Sequence, residues 1–306
     1  MDVNHQQYDI RIISDLNECR RIWDMLSPKE TIYDVWEFRN CFYKYLNYRL
    51  FFYTVYLQNV PVGLLPLQLN PETGLLEFFG DHKGWMDQNK IFTTTDNKEA
   101  LVALLLQNIT MPAQLDSLTG HEKIIEQLPI TDYTHLLPLS TYSTTTEYTD
   151  DRLHGSKKKQ IKNIIKTYED IKLEKRYNVS TDIEHLFELN IQHFGNESSF
   201  VWPHRKEIFR DFLQLHCCKS NLTTLLYQDK IIGVCLSLQY RDSYIGINMG
   251  VDTNILPDIL SYLLLIDIQN AISCGAKQYD ARGGNQQGKA RWHFDQIPQH
   301  SFTYTL

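Results

Sequence analysis

The chain has 306 residues, of which 42% are hydrophobic, 22% charged and 12% aromatic, and its formal net charge is −7 at neutral pH. This length allows two domains of ordinary size, and the negative charge argues against nonspecific nucleic-acid binding, including DNA binding, by the chain as a whole. No apolar run approaches the roughly 20 residues needed to span a bilayer, and the first residues lack the basic and apolar regions of a signal peptide. We therefore expect a cytoplasmic protein without a membrane span.

Residues 1–140 are predicted to form an α/β domain. Apolar residues at helical spacing predict helices over residues 17–26 and 33–46. Segments rich in Pro, Asn and Gly separate three predicted strands, which cover residues 50–57, 62–69 and 75–79. An apolar helix is predicted over residues 99–108, followed by a short strand that carries Asp116.

The same order of elements recurs later in the chain. Two helices, three strands, an apolar helix and a short strand are predicted over residues 182–193, 206–217, 222–227, 231–240, 244–251, 258–274 and 277–281. Gly63 opens a strand in the first copy and Gly233 in the second, and Gly80 and Gly250 follow at the same spacing. This ordered series predicts two tandem copies of one fold, the second within residues 173–306.

Residues 141–172 are predicted to be a linker and a basic helix. Ser, Thr and Tyr are frequent over residues 139–149, which suggests a linker or a crossing strand, and a helix is predicted over residues 151–170. Its lysines make a basic patch at helical spacing: Lys157, Lys158, Lys159, Lys162 and Lys166. This patch is either a solvated helix face or a contact for an anionic substrate, such as a sugar nucleotide, a phospholipid-linked glycan or tRNA.

The helix predicted over residues 258–274 is apolar nearly all round, so we expect it to be buried against a sheet and to end at Gly275. Its N-terminus would face the crevice beyond the preceding strand, where free N–H groups suit a phosphate or a carbonyl oxygen. Gly250, Val251 and Ser261 are the cofactor-binding candidates at this crevice.

A glycine-rich segment with three cations follows the second strand. Gly283 and Gly284 predict a tight turn that needs positive φ angles, and we include both among the cofactor-binding candidates. Lys289 and Arg291 are candidates either for a site or for a surface ion pair. Asp280 either shapes the turn, orients one of these cations or accepts a proton.

This order of strands, loop, buried helix and strand resembles the GNAT acyltransferase fold. The tandem arrangement and the motifs at residues 279–284 and 288–292 resemble the CelD-like acetyltransferases linked to bacterial polysaccharide synthesis, and the related Fem-type aminoacyltransferases. The resemblance implies two GNAT-like α/β domains, each a mixed, largely antiparallel sheet flanked by helices. It also implies an acyl-CoA donor, with acetyl-CoA as the first candidate, and a glycan-linked or small-molecule acceptor. Lys289 would stabilise charge at the reacting carbonyl.

Further substrate-binding candidates are aromatic, cationic or amide side chains near the two predicted crevices: Arg291, Trp292, Asn248, Trp202, Arg205, His82 and Trp85. For Trp202 and Arg205 the alternative is a packed tryptophan beside a surface arginine. For His82 and Trp85 the alternative is an ordinary polar loop.

One feature departs from the resemblance. Most coenzyme-A-binding members of the superfamily have a glycine-rich loop before the buried helix, whereas residues 251–258 contain no glycine, two aspartates and Pro257. This leaves open an aminoacyl-tRNA-dependent transferase of the Fem type, and a non-catalytic module that binds a ligand. The six cysteines form no CxxC pair or His-rich spacing, so we expect buried thiols and no metal.

Overall fold

The computed structural model describes residues 8–81, 85–94, 97–171, 173–284 and 286–305. The chain divides into two compact units. Unit 1 comprises the described residues through Tyr133 together with those from Pro298 onward, and unit 2 comprises Thr134–Ile297. Within the described ranges, no helix is both long and apolar enough to cross a membrane.

The elements of unit 1 run from a first strand, through two helices and an antiparallel meander, to a helix and a strand. In chain order they are β1 (Tyr8–Ile13), α1 (Leu16–Leu26), α2 (Trp36–Leu46), β2 (Arg49–Leu57), β3 (Val60–Leu69), β4 (Leu76–Phe78), β5 (Phe92–Thr93), α3 (Lys98–Gln107), β6 (Ala113–Leu118) and α4 (Lys123–Glu126).

The elements of unit 2 repeat this order after two additional helices. They are β7 (Ile130–Pro138, which begins in unit 1), α5 (Thr145–Arg152), α6 (Gly155–Ile171), β8 (Glu174–Tyr177), α7 (Ile183–Phe194), α8 (Pro203–Phe212), β9 (Lys219–Tyr227), β10 (Lys230–Tyr240), β11 (Ser243–Val251), α9 (Ile259–Ser273), β12 (Gln278–Asp280), α10 (Gln286–Ala290) and β13 (Asp295–Tyr304, which ends in unit 1).

Each unit contains a mixed, largely antiparallel arrangement of strands. The strand order is β1-β2-β3-β4-β6-β13 in unit 1 and β8-β9-β10-β11-β12-β7 in unit 2. One pair of neighbours in each is parallel, β4 with β6 and β11 with β12. A parallel pair requires a crossover, which α3 and α9 supply. The predicted fold class is confirmed.

The glycines that suggested a duplication have matching surroundings in the two units. A Cβ added to Gly63 would lie 3.5 Å from a side-chain carbon of the crossover helix α3, and one added to Gly233 would lie 3.5 Å from α9. A Cβ on Gly80 would lie 2.7 Å from the carbonyl oxygen of Arg39 in α2, and one on Gly250 2.8 Å from that of Leu186 in α7. Gly80, which follows β4, and Gly250 in β11 therefore lie where a helix backbone leaves no room for a side chain.

The helix predicted over residues 151–170 is present from Gly155 onward, but its predicted start is wrong. Two helices, α5 and α6, meet at Leu153 and His154. Leu153 is extended, with φ −95° and ψ 140°, and Gly155 has φ +54°, so a single helix cannot pass through them. Part of the predicted linker is helical because the Thr144 side chain accepts a hydrogen bond from the Glu147 N–H at 3.2 Å and caps α5.

The helix α9 is buried, as predicted, and ends at Gly275 with φ +75°. It packs on β10 and β11 on one side and on α5 and α6 on the other. All six cysteines are described and none is in a disulfide. Cys19, Cys41 and Cys235 are buried, whereas Cys274 is exposed.

Candidate active site

In unit 2 the pairing of two parallel strands, β11 and β12, ends early, and we call the side of β11 beyond Ile245 that faced β12 the gap. The β11 and β12 strands pair over three residues, ending at Ile245 opposite Asp280, and β11 then continues to Val251 alone on this side. On its other side the register with β10 slips between Leu236 and Ser237, which makes Ile247 the extra residue of a β-bulge. A bulge increases local twist and bends the strand, so this half of β11 is shaped differently from the paired half.

The segment after β12 turns sharply beside this gap. Arg282 has φ +66° and Gly284 has φ +71°. A carboxylate oxygen of Asp280 accepts a hydrogen bond from the Arg282 N–H at 2.7 Å, and the Arg282 guanidinium donates to the carbonyl of Ile247 at 3.3 Å. The turn therefore links the end of β12 to the bulge of β11, and Arg282 is a site residue that the sequence did not suggest.

Lys289 lies on α10 and is half-buried against this turn. Its ammonium group donates hydrogen bonds to the carbonyl oxygens of Arg282, at 3.0 Å, and Gly283. Two backbone acceptors in one turn hold the cation in a defined position beside the gap.

Arg291 and Trp292 connect the same segment to the basic helix α6. The Trp292 ring is buried, and the Lys157 ammonium lies 4.7 Å from its centroid, a cation–π contact. Burial lowers the pKa of Lys157, and the nearby positive charge of Arg291 lowers it further, while Asp258 acts in the opposite direction. Lys157 is therefore packed against the Trp292 ring and lies within range of the positive charge of Arg291.

The rest of the predicted basic patch is partly neutralised. Lys158 and Lys162 both form ion pairs with Asp150, at 3.0 and 2.8 Å. Hydrogen bonds from these two lysines lower the pKa of Asp150. The break between α5 and α6 places this carboxylate beside the lysines, which a single helix over residues 151–170 would not have done.

A buried carboxylate lies behind the parting strands. Asp267 on α9 is 1% exposed and accepts hydrogen bonds from the hydroxyls of Ser237 at 2.8 and 2.9 Å, Tyr244 at 3.1 Å and Tyr279 at 2.8 Å. Burial raises its pKa, although these hydrogen bonds oppose the shift. The carboxylate ties α9 to β10, β11 and β12, and its only signal in the sequence is a lone acid in an apolar helix.

The candidates on β11 and α9 have local roles that require no ligand. Asn248 accepts a hydrogen bond from the Asn190 amide at 3.4 Å. Gly250 lies under α7, as described above, and Val251 lies 3.5 Å from the Cβ position of Gly233. Ser261 is in the first turn of α9 and is partly exposed.

The loop before α9 presents carboxylates where a phosphate would need donors. Asp252 is buried and accepts hydrogen bonds from the Lys230 ammonium at 3.3 Å and the Asn254 N–H at 3.1 Å. The carbonyl of Pro257 accepts from the Tyr168 hydroxyl, and Asp258 adopts a left-handed conformation with φ +58°. These polar groups of the loop are therefore already hydrogen-bonded within the protein.

The other predicted substrate-binding residues are dispersed. Trp202 is 54% exposed at the start of α8, with its ring 6.3 Å from that of His204, whereas Arg205 lies on the buried face of α8. Trp85 is in unit 1, where its backbone N–H donates a hydrogen bond to the Asp81 carboxylate at 3.1 Å. His82 lies outside the described residues.

Unit 1 has its own partly buried carboxylate. Glu77 on β4 accepts hydrogen bonds from the side-chain amides of Gln68 at 2.9 Å and Asn70 at 3.1 Å. Burial raises its pKa from 4.5 to about 7, against the effect of these two hydrogen bonds. Among all the described residues, no group of His, Cys, Asp and Glu is arranged to hold a metal ion.

No family model and no curated protein matches the sequence. Solved structures do match. FemX is 10% identical, with 97% of each chain covered and a TM-score of 0.59. L-PGS from Bacillus licheniformis is 8% identical over 95% of this chain and 91% of the other, with a TM-score of 0.60. A tandem GNAT protein from the clavulanic acid biosynthesis pathway is 8% identical over 97% and 98%, with a TM-score of 0.52.

The chain has the GNAT fold. This agrees with the resemblance noted in the sequence, and the matched structures extend over nearly the whole chain. At these identities the likeness establishes the fold alone, and the chemistry depends on the residues of the gap.

Proposed function

We propose that unit 2 transfers an acyl group, with acetyl as the first to test, from a thioester donor such as acyl-CoA to an amine or hydroxyl of a sugar or polysaccharide precursor. The observation that carries the proposal is the gap between β11 and β12, with Lys289 fixed beside it by two backbone carbonyls. The sugar acceptor comes from the resemblance of residues 279–292 to CelD-like acetyltransferases. The thioester donor comes from that resemblance and from the fold.

In this reaction the acceptor nitrogen or oxygen attacks the carbonyl carbon of the thioester. A C–N or C–O bond forms, the C–S bond breaks, and the proton lost by the acceptor ends on the departing thiol. Negative charge develops on the carbonyl oxygen during attack, and a positioned cation stabilises that charge. We assign this role to Lys289. We assign Asp280 the role of a positioning residue, because its carboxylate holds the N–H of Arg282, whose carbonyl in turn holds Lys289.

The test is Lys289→Ala, assayed as thiol release from acetyl-CoA in the presence of a panel of amino sugars and neutral sugars. We expect the rate to fall by about 100-fold, as when one oxyanion donor is removed, with an unchanged melting temperature. Lys277→Ala is the matched control, because Lys277 is exposed and paired with Asp242 at 2.7 Å. Full activity of Lys289→Ala would contradict the assignment.

The donor is tested separately. The acidic loop before α9 opposes a diphosphate, so acyl-CoA binding would rely on contacts along β11 more than on the helix N-terminus. Native mass spectrometry of freshly purified protein would identify a thioester or nucleotide that remains bound. If neither coenzyme A thioesters nor nucleotide sugars bind or raise the melting temperature, the non-catalytic binding module becomes the better description.

A second candidate is aminoacyl transfer from aminoacyl-tRNA, as in Fem-type enzymes. The positive charges of Lys157 and Arg291 favour it, because phosphate groups would relieve the repulsion between these two cations. We expect Lys157→Ala and Arg291→Ala each to weaken tRNA binding at low salt, whereas Lys277→Ala leaves it unchanged. Absence of tRNA binding at low salt, where phosphate contacts are strongest, would exclude this candidate.

A further inference from the structure

A cavity with both polar and apolar lining lies at the far end of α9 from the parting strands. It has a volume of about 360 Å³ and forms where β8, β9 and the last turn of α9 meet. The 15-residue helix α9 is ~22 Å long at 1.5 Å per residue, so the cavity is separate from the crevice at the helix N-terminus. Its polar lining consists of Asn178, Asn221, Thr223, Asn270 and Ser273.

The lining contains no carboxylate, whereas two other cavities of unit 2 are acidic. None of the nine described residues that line it is acidic, and Lys219 is its only Lys or Arg. Two larger cavities are each lined by three carboxylates. Amide and hydroxyl groups without carboxylates favour a ligand that is polar but uncharged.

Among the described residues, the hydrogen bonds of two lining asparagines leave an acceptor on Asn270 and a donor on Asn178 for a ligand. The Asn270 amide nitrogen donates to the Thr223 hydroxyl oxygen at 3.1 Å, and the Asn178 side-chain oxygen accepts from the Leu222 N–H at 3.0 Å. These bonds use one half of each amide. Sugar hydroxyls donate and accept at once, so they match such a mixed set.

An aromatic side chain completes the chemistry. Tyr177 is 49% exposed and belongs to the lining, beside the apolar Leu222. A tyrosine ring offers a flat apolar surface against which the C–H face of a pyranose ring packs. We infer that this cavity binds a neutral sugar ring, with the asparagines reaching its hydroxyls and Tyr177 its apolar face. The inference does not depend on the proposed acyl transfer, since the site is remote from Lys289 and requires no donor.

A cysteine in the lining can report whether the cavity is occupied. Cys274 is exposed and lines the cavity, so a bound sugar should slow its alkylation. We would measure the alkylation rate of Cys274 by iodoacetamide, using peptide mass spectrometry, in the presence of glucose, galactose, mannose or N-acetylglucosamine. Saturation-transfer NMR with the same sugars gives the dissociation constant. We expect at least one sugar to bind and to slow the reaction severalfold, in the Lys289→Ala variant as well as in the natural sequence.

The variants place the sugar in the cavity. We expect Asn270→Leu to raise the dissociation constant by about tenfold, the effect of one lost hydrogen bond. Tyr177→Ala alters an exposed side chain and should weaken binding without affecting folding. Asn163→Leu, on the exposed side of α6, is the matched control. Failure of all four sugars to bind or protect Cys274 overturns the inference, and so does binding that survives both cavity variants.

Discussion

Glu77 makes the stability of unit 1 depend on pH. Its pKa rises from 4.5 to about 7 in the folded protein, so the folded state binds this proton more tightly than the unfolded chain does. The free energy of unfolding should therefore be highest below pH 4.5, fall as the pH rises to about 7, and then level off. At about 1.4 kcal/mol per pKa unit the shift corresponds to about 3 kcal/mol, and partial solvent access reduces this to about 2 kcal/mol.

The perturbation is Glu77→Gln, compared with the natural sequence by urea denaturation at pH 5, 6, 7 and 8. The variant loses some stability at pH 5, because its side-chain NH₂ must face the amides of Gln68 or Asn70, which costs about 1 kcal/mol. Between pH 5 and pH 8, the free energy of unfolding of the variant should fall by about 2 kcal/mol less than that of the natural protein. Glu126→Gln, an exposed glutamate on α4, is the control. Parallel pH profiles for Glu77→Gln and the natural sequence would refute the reasoning.

Three further predictions concern unit 2. Gly250→Ala should lower the free energy of unfolding by about 1–3 kcal/mol, because the new Cβ lies 2.8 Å from a carbonyl oxygen of α7. Gly233→Ala, whose Cβ meets only side-chain carbons at 3.5 Å, should cost less, and equal costs in chemical denaturation would contradict the packing argument. Asp267→Ala leaves three buried hydroxyls without their acceptor and should cost about 2 kcal/mol or more, exceeding the cost of Tyr279→Phe; the reverse order would be evidence against the network. Asp280→Ala should lower kcat of acyl transfer at an unchanged KM, and an unchanged kcat would remove its positioning role.

Local patterns predicted the elements whose partners lie nearby in the sequence. The helix α9 was expected over residues 258–274 and covers Ile259–Ser273, because an apolar surface all round and a following glycine mark both its burial and its end. The hairpin strands were expected for a similar reason, since the turns at Gln58 and Gln228, each with a positive φ, separate apolar runs. The two halves of the chain share these signals, which is why the duplication could be predicted.

Elements that depend on distant partners were missed. The strands β1, β8 and β13 were not predicted, and they carry weak or mixed apolar patterns. They form strands because each pairs with the free edge of a neighbouring strand. The break between α5 and α6 was missed because the apolar spacing continues across Leu153, although the backbone leaves the helical conformation at Leu153 and Gly155.

The candidate site shows the same division. The turn that follows Asp280 could be predicted from its two glycines, although one of the two positive φ angles falls on Arg282. The contact between Lys157 and Trp292 joins residues far apart in the sequence, and no spacing pattern reports it. The assignment of Lys289 as a catalytic residue remains a prediction that rests on the resemblance and on its two carbonyl contacts.

The last strand of unit 1 follows unit 2 in the chain, and this order affects synthesis. In β13, Phe302 pairs with Leu115 and Tyr304 with Ala113, while the Ser301 hydroxyl donates to the Asp116 carboxylate at 2.6 Å. While a ribosome is making unit 2, the edge of β6 lacks this partner, and an open strand edge is a template for aggregation. Unit 1 therefore completes its sheet only after the ribosome has passed through unit 2, so the first part of the protein to be translated is among the last to finish folding.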